Sequence, residues 1–299
     1  MKLIAAAVLI AAACGAKAAE PMTERYHAYG DLILTHLASA PFPHPLRANG
    51  HTYNGKTYSA AEHYSDSSVA IFVPKGFRKS KHVDLVVYFH GWSNNIDTAL
   101  GFYSLIEQFC ASRKNAVFVF PEGPRNAPDS FGGRLEEKDG FKNLVTDVLG
   151  VLKREKKIPG NALPGRIVIG GHSGAYRVMS FILLRGGLVP HVKEVYLFDA
   201  LYGQTEKFAY WIDHSRGRLV NIYTESGGTK GETENLMACL EAWKKPFYAA
   251  EELKAAPEDL RRHSLIFLHT DLVHNDVVSK RNQFETFLAT GSLKSIRAK

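Results

Sequence analysis

The stretch Ile167-Val168-Ile169-Gly170-Gly171-His172-Ser173-Gly174-Ala175-Tyr176 constrains this chain more than any other. A β-branched apolar run ends in two glycines, a serine follows between a histidine and a glycine, and an apolar helical pattern occupies residues 176–185. That order spells strand, sharp turn, helix, with the serine at the apex. A serine lifted clear of a sheet on a tight backbone needs small neighbours. Gly171 and Ala175 stand two residues before and two after it. Gly174 directly follows the serine, and its N–H is expected to face an anionic oxygen. The plain alternative is a Gly-rich connection between a strand and a helix, so the rest of the chain has to decide.

From residue 83 onward, short apolar strand patterns (83–89, 115–120, 166–170, 192–198, 218–224, 264–269) alternate with helical ones (97–114, 136–157, 176–185, 204–213, 232–253 and a last helix through Leu288). Near-continuous apolar strands between helices predict an α/β fold: a mostly parallel central sheet with helices on both faces. Upstream, Tyr26, Tyr29, Ile33 and Leu37 predict a helix within 20–40, ended by Pro41, Pro43 and Pro45. Residues 52–74 read as strands, with a hairpin turn at Asn54-Gly55 and a second antiparallel pair from 58–64 and 68–73. Residues 19–299 read as a single domain, 19–66 an N-terminal extension and 67–290 the core.

Three features in order carry a resemblance. Strand 83–89 ends at His90-Gly91-Trp92, the serine turn follows one strand–helix–strand unit later, and His274 lies in the loop after the last strand. Together they resemble the α/β-hydrolase superfamily, with Ala175 in place of the last glycine of its nucleophile elbow. The resemblance covers residues 83–290 and implies Ser173 as nucleophile, His274 as base, and the N–H groups of Trp92 and Gly174 as oxyanion hole. A serine needs a base, and the base needs an acid to fix its tautomer. Asp199, at a strand end in a tight Asp-Ala-Leu-Tyr-Gly turn, is the favoured acid. Glu225, after the next strand in a Gly-rich loop, is the alternative. Asp271 and Asp276 flank His274 too closely. His269 falls within a strand pattern and reads as structural. His90 reads as a support for the oxyanion loop, and His172 is expected to point away from the site. Loop 125–133 is expected to shape a pocket, with Phe131 either a pocket wall or a packed loop aromatic.

The overall plan is similar to that of secreted feruloyl esterases and polyester depolymerases. It implies hydrolysis of a carboxylic ester, small or polymeric, with no cofactor and no metal. An amidase or peptidase acting on cell-envelope material would use the same residues, and a binding protein on an idle hydrolase scaffold belongs to another class.

Residues 1–18 read as a signal peptide: Lys2, an apolar run too short to span a bilayer, then Ala16-Lys17-Ala18. This implies a periplasmic or secreted protein. Ala12-Ala13-Cys14-Gly15 also resembles a lipoprotein box, which would leave a lipid anchor on Cys14. No other stretch is long and apolar enough for a transmembrane helix. With Cys14 removed, Cys110 and Cys239 either pair across two helices or stay as two buried thiols. The formal charge is +7, spread along the chain without a nucleic-acid-binding motif.

Overall fold

Apolar strands that feed both faces of one sheet set the architecture. The computed structural model describes residues 21–296; the expected signal peptide and Cys14 lie outside them. The strands are β1 (Gly30–His36), β2 (His51–Tyr53), β3 (Lys56–Tyr58), β4 (Ser68–Pro74), β5 (His82–Phe89), β6 (Val117–Pro121), β7 (Leu163–His172), β8 (Val192–Phe198), β9 (Arg218–Thr224), β10 (Tyr248–Glu251) and β11 (Leu265–Thr270). The α-helices are α1 (Met22–Arg25), α2 (Ala60–His63), α3 (Ile96–Phe102), α4 (Leu105–Ala111), α5 (Gly140–Arg154), α6 (Tyr176–Arg185), α7 (Thr205–His214), α8 (Lys230–Ala242), α9 (Pro257–Arg262) and α10 (Gln283–Thr290). Nine strands form one sheet in the order β1-β4-β6-β5-β7-β8-β9-β11-β10, and β2 and β3 form the Asn54-Gly55 hairpin. Only β4 runs against the rest of the large sheet. This is the mostly parallel α/β sheet that the alternation predicts.

Side-chain alternation divides the core in two. Val83, Leu85 and Val87 of β5 and Ile167 and Ile169 of β7 join α5, α6, α7 and α8 on one face. Val86, Tyr88, Val168 and Phe198 join α3, α4, α9 and α10 on the other. Because both faces are covered, the strands carry continuous apolar runs.

Four local expectations fail. Residues 21–40 hold only the four-residue α1 and then the strand β1: Leu32 pairs with Phe72 and Ile33 with Ile71, so sheet pairing overrides the helical spacing. Residues 58–64 do not pair with 68–73. They hold α2, whose first turn Ser59 caps by accepting the Glu62 N–H, and the Ser-x-x-Glu spacing is the local signal for it. The helix expected over 97–114 breaks into α3 and α4 at Ser104, which has a positive φ of 48°. The helix expected over 232–253 ends in α8; Pro246 disfavours helix at Lys245, and the chain goes on to the parallel edge strand β10.

The cysteines do not pair. Cys110 lies against the α4 side of the sheet, where burial pushes its thiol up to about 12, and Cys239 is exposed on α8, on the opposite face. Among the described residues no helix is long and apolar enough to cross a membrane.

Candidate active site

β7 carries the serine turn to the C-terminal end of the sheet. Ser173 has a φ of +55°, a left-handed conformation that costs a non-glycine residue about 1–3 kcal/mol. Its neighbours make the turn possible. A Cβ on Gly171 would lie 2.5 Å from the Ala175 Cβ, so the glycine lets strand and helix cross. A Cβ on Gly91 would lie 2.7 Å from the Ser173 Cβ, which shows how tightly the His90-Gly91-Trp92 loop abuts the serine. The Trp92 ring covers Gly174 and its Nε1 donates to Ser130 Oγ (2.7 Å). Among the described residues the Trp92 backbone N–H meets no acceptor. His90 braces this loop: Nδ1 bonds the Gly91 carbonyl (2.7 Å) and Nε2 contacts Glu122 (2.9 Å).

Asp199 and His274 come together from β8 and the segment after β11. Asp199 is fully buried and, like Ser173, has a positive φ (45°). Its Oδ2 accepts from His274 Nδ1 at 2.5 Å. Thr224 donates its N–H (3.1 Å) and its hydroxyl (2.9 Å) to the same carboxylate, and the Thr229 hydroxyl donates as well. Burial opposes ionisation, but these bonds outweigh it and hold the Asp199 carboxyl below its ordinary range. The bond fixes the proton of neutral His274 on Nδ1 and leaves Nε2 as an acceptor. The His274 side chain is 30% exposed, so a substrate can reach it.

Glu225 lies elsewhere. It is exposed, bonded to Lys230 (2.7 Å) and beside His269 (3.1 Å), and makes no bond to His274. His269 in turn contacts Glu251 (3.1 Å) at the sheet edge.

Ser173 and His274 line one cleft of about 470 Å³ with Trp92, Phe102, Tyr103 and Asn275. Ser173 Oγ does not hydrogen-bond His274 in this structure, whose ring bonds Asp199 and lies near the Tyr202 hydroxyl.

Two residues differ from, or escape, the sequence reading. His172 does not point away. Its Nε2–H donates to the His274 carbonyl (2.9 Å), its Nδ1 accepts from the Tyr103 hydroxyl (3.0 Å), and its ring lies 4.4 Å from the His274 ring. Complete burial, then the neighbouring His274, pushes His172 down to about 3, which fixes it neutral. It therefore holds the His274 backbone without adding charge. Tyr202, in the Asp-Ala-Leu-Tyr-Gly turn, was not singled out by sequence. Its hydroxyl donates to the Gly227 carbonyl (2.5 Å), lies 3.4 Å from His274 Nδ1 and neighbours Ser173.

Phe131 is a packed loop aromatic, set between His44 (5.0 Å) and the Arg47 guanidinium (4.7 Å). The cavity it lines beside Gly174 holds only about 20 Å³. Among the described residues no group of three or more His, Cys, Asp or Glu could hold a metal ion.

No family model and no curated protein matches the sequence. Solved structures do match. A substrate-bound fluorophosphonate-binding serine hydrolase of Staphylococcus aureus superposes with a TM-score of 0.52 at 10% identity, over 87% of this chain and 99% of its own. A feruloyl esterase module from Clostridium thermocellum, complexed with sinapinate, gives 0.52 at 12% identity over 88% of each chain. An S-formylglutathione hydrolase of Staphylococcus aureus gives 0.52 at 10% identity, over 87% and 98%. This likeness establishes the α/β-hydrolase fold for the chain.

Proposed function

We propose that the protein is a serine hydrolase that cleaves a carboxylic ester through a covalent acyl-enzyme. The observation that carries the reading is the strained Ser173 sharing a cleft with a histidine bound at 2.5 Å to a buried, ionised Asp199. In this reading His274 Nε2 takes the Ser173 proton as Oγ attacks the ester carbonyl. Asp199 stabilises the imidazolium that results. The Trp92 and Gly174 N–H groups receive the developing oxyanion, each worth about 10²–10³ in rate. His274 then protonates the leaving alcohol, activates water against the acyl-enzyme, and Ser173 is regenerated. His172 and Tyr103 act as positioning residues that hold the His274 loop. The esterase and serine-hydrolase titles of the structural neighbours support this class of chemistry.

Steady-state and burst kinetics on p-nitrophenyl esters test it. A burst stoichiometric with enzyme, abolished in Ser173→Ala, is the expected result. Ester turnover unchanged in Ser173→Ala would overturn the assignment. The reading also places the mature protein outside the cytoplasm. N-terminal sequencing of exported protein should begin near residue 19, whereas a lipid-blocked Cys14 would indicate an anchor instead.

A further inference from the structure

The end of the sheet opposite Ser173 carries a second cleft, of about 550 Å³, where β5 and β7 begin. Arg78, Lys79, Lys81, Arg166 and Lys294 line it together with a single carboxylate, Asp84. Asp84 Oδ1 accepts the Arg166 backbone N–H (2.7 Å), and among the described residues none of the five cations forms an ion pair with a carboxylate.

The charge count makes this concentration unusual. Leaving Lys2, Lys17, Glu20, Arg297 and Lys299 out of the +7 gives +4 for residues 21–296. Five cations and one carboxylate account for all of it, so the rest of the described chain is neutral in sum. Like charges gathered without partners repel one another, and a concave low-dielectric wall focuses their field outward.

The three segments that bear them, loop 78–81, β7 and the chain at Lys294, are tied in place. Asn115 accepts the Arg78 N–H (2.7 Å) and donates to its carbonyl (3.1 Å). Lys79 Nζ reaches the Lys156 carbonyl (2.6 Å), and Arg166 reaches that of Ser292 (3.0 Å). The cations are therefore presented by a fixed backbone, not a floppy tail. The cleft is far larger than one tetrahedral oxyanion needs, and its five exposed cations stand around a half-open mouth that a soluble ligand can enter.

We propose that this cleft binds a soluble oligoanion bearing several linked phosphate or sulfate groups, at a site separate from the Ser173 cleft. Phosphates would take charge-assisted hydrogen bonds from Arg78 and Arg166 and screened attraction from the lysines.

Titration calorimetry of the full protein with inorganic tripolyphosphate tests the proposal. One-to-one binding is expected, weakening about tenfold or more from low to high salt. The exposed-residue variant Arg78→Gln/Lys81→Gln/Lys294→Gln should bind about tenfold or more weakly, and Ser173→Ala should bind as the parent does. The triple variant should retain parental ester turnover, a readout that also shows it folded. No binding by the parent, or equal binding by the triple variant, would overturn the proposal. So would binding to phosphatidylglycerol vesicles without binding to tripolyphosphate, which would assign the cleft to a membrane surface.

Discussion

Glu194 and Asp199 stand five residues apart, one within β8 and one directly after it, and both are fully buried. Their partners separate them. Glu194 meets Arg218 (2.8 Å), the Tyr196 hydroxyl (2.5 Å) and the N–H and hydroxyl of Ser292 (2.5 and 2.7 Å). Burial raises its carboxyl, but the Arg218 charge and these bonds bring it below its ordinary range. Arg218 is itself buried against it, so this pair is a lock. Asp199 instead meets hydroxyls, an N–H and a histidine whose far edge reaches a cleft. Its backbone leaves the strand in a left-handed turn. A buried carboxylate alone thus says little about chemistry. A partner able to move a proton, and open to a ligand, makes the difference.

Four substitutions break or sharpen that contrast. Asp199→Asn should lower kcat/KM for esters by up to about 10⁴, because the amide favours the wrong His274 tautomer. A fall of tenfold or less would remove Asp199 as the orienting acid. Glu194→Gln should leave the turnover of folded enzyme near the parental value. It should cost roughly 3–5 kcal/mol of stability in urea melts, since Arg218 loses its counter-charge. Stability kept with activity lost would reverse the roles of the two carboxylates.

The third test uses pH. The folded-state value of about 3 for His172 lies below its ordinary 6.5. Its contribution is complete above about 6.5 and is lost as pH falls toward 3, where the unfolded chain takes the proton first. His172→Gln should therefore flatten acid destabilisation across that window by up to about 1.4 kcal/mol per pH unit. Parallel stability–pH curves for variant and parent would mean that His172 is not held neutral by the fold. The smallest effect belongs to Glu225→Gln, exposed and salt-bridged to Lys230. Its kcat/KM should stay within about twofold of the parent, and a loss approaching that of Asp199→Asn would restore Glu225 as the acid.

The contrast also marks what the sequence could disclose. Ser173 and Asp199 were legible because each directly follows an apolar strand, whereas His274, four residues beyond β11, stood out only because the resemblance implies a histidine in the loop after the last strand. Glu194 was not, since a lone acid in Val-Lys-Glu-Val-Tyr looks like a solvent-facing strand position; its partner Arg218 is close only in space. His172 was misjudged for a related reason. Strand alternation tells which side a residue leaves, but not that Tyr103 and the His274 carbonyl wait there. β1 and β10 were missed because edge strands borrow their order from a neighbour, β4 and β11, more than from their own pattern. The basic cleft assembles charges from residues 78 to 294, a grouping that only the folded chain displays.

The most direct test of the central claim is to treat the folded protein with a fluorophosphonate and locate the adduct by peptide mass spectrometry. The account predicts one adduct, on Ser173, formed far more slowly in Asp199→Asn and at the parental rate in Glu194→Gln. Folded protein that takes up no adduct at Ser173, or reacts equally fast in Asp199→Asn, would contradict it.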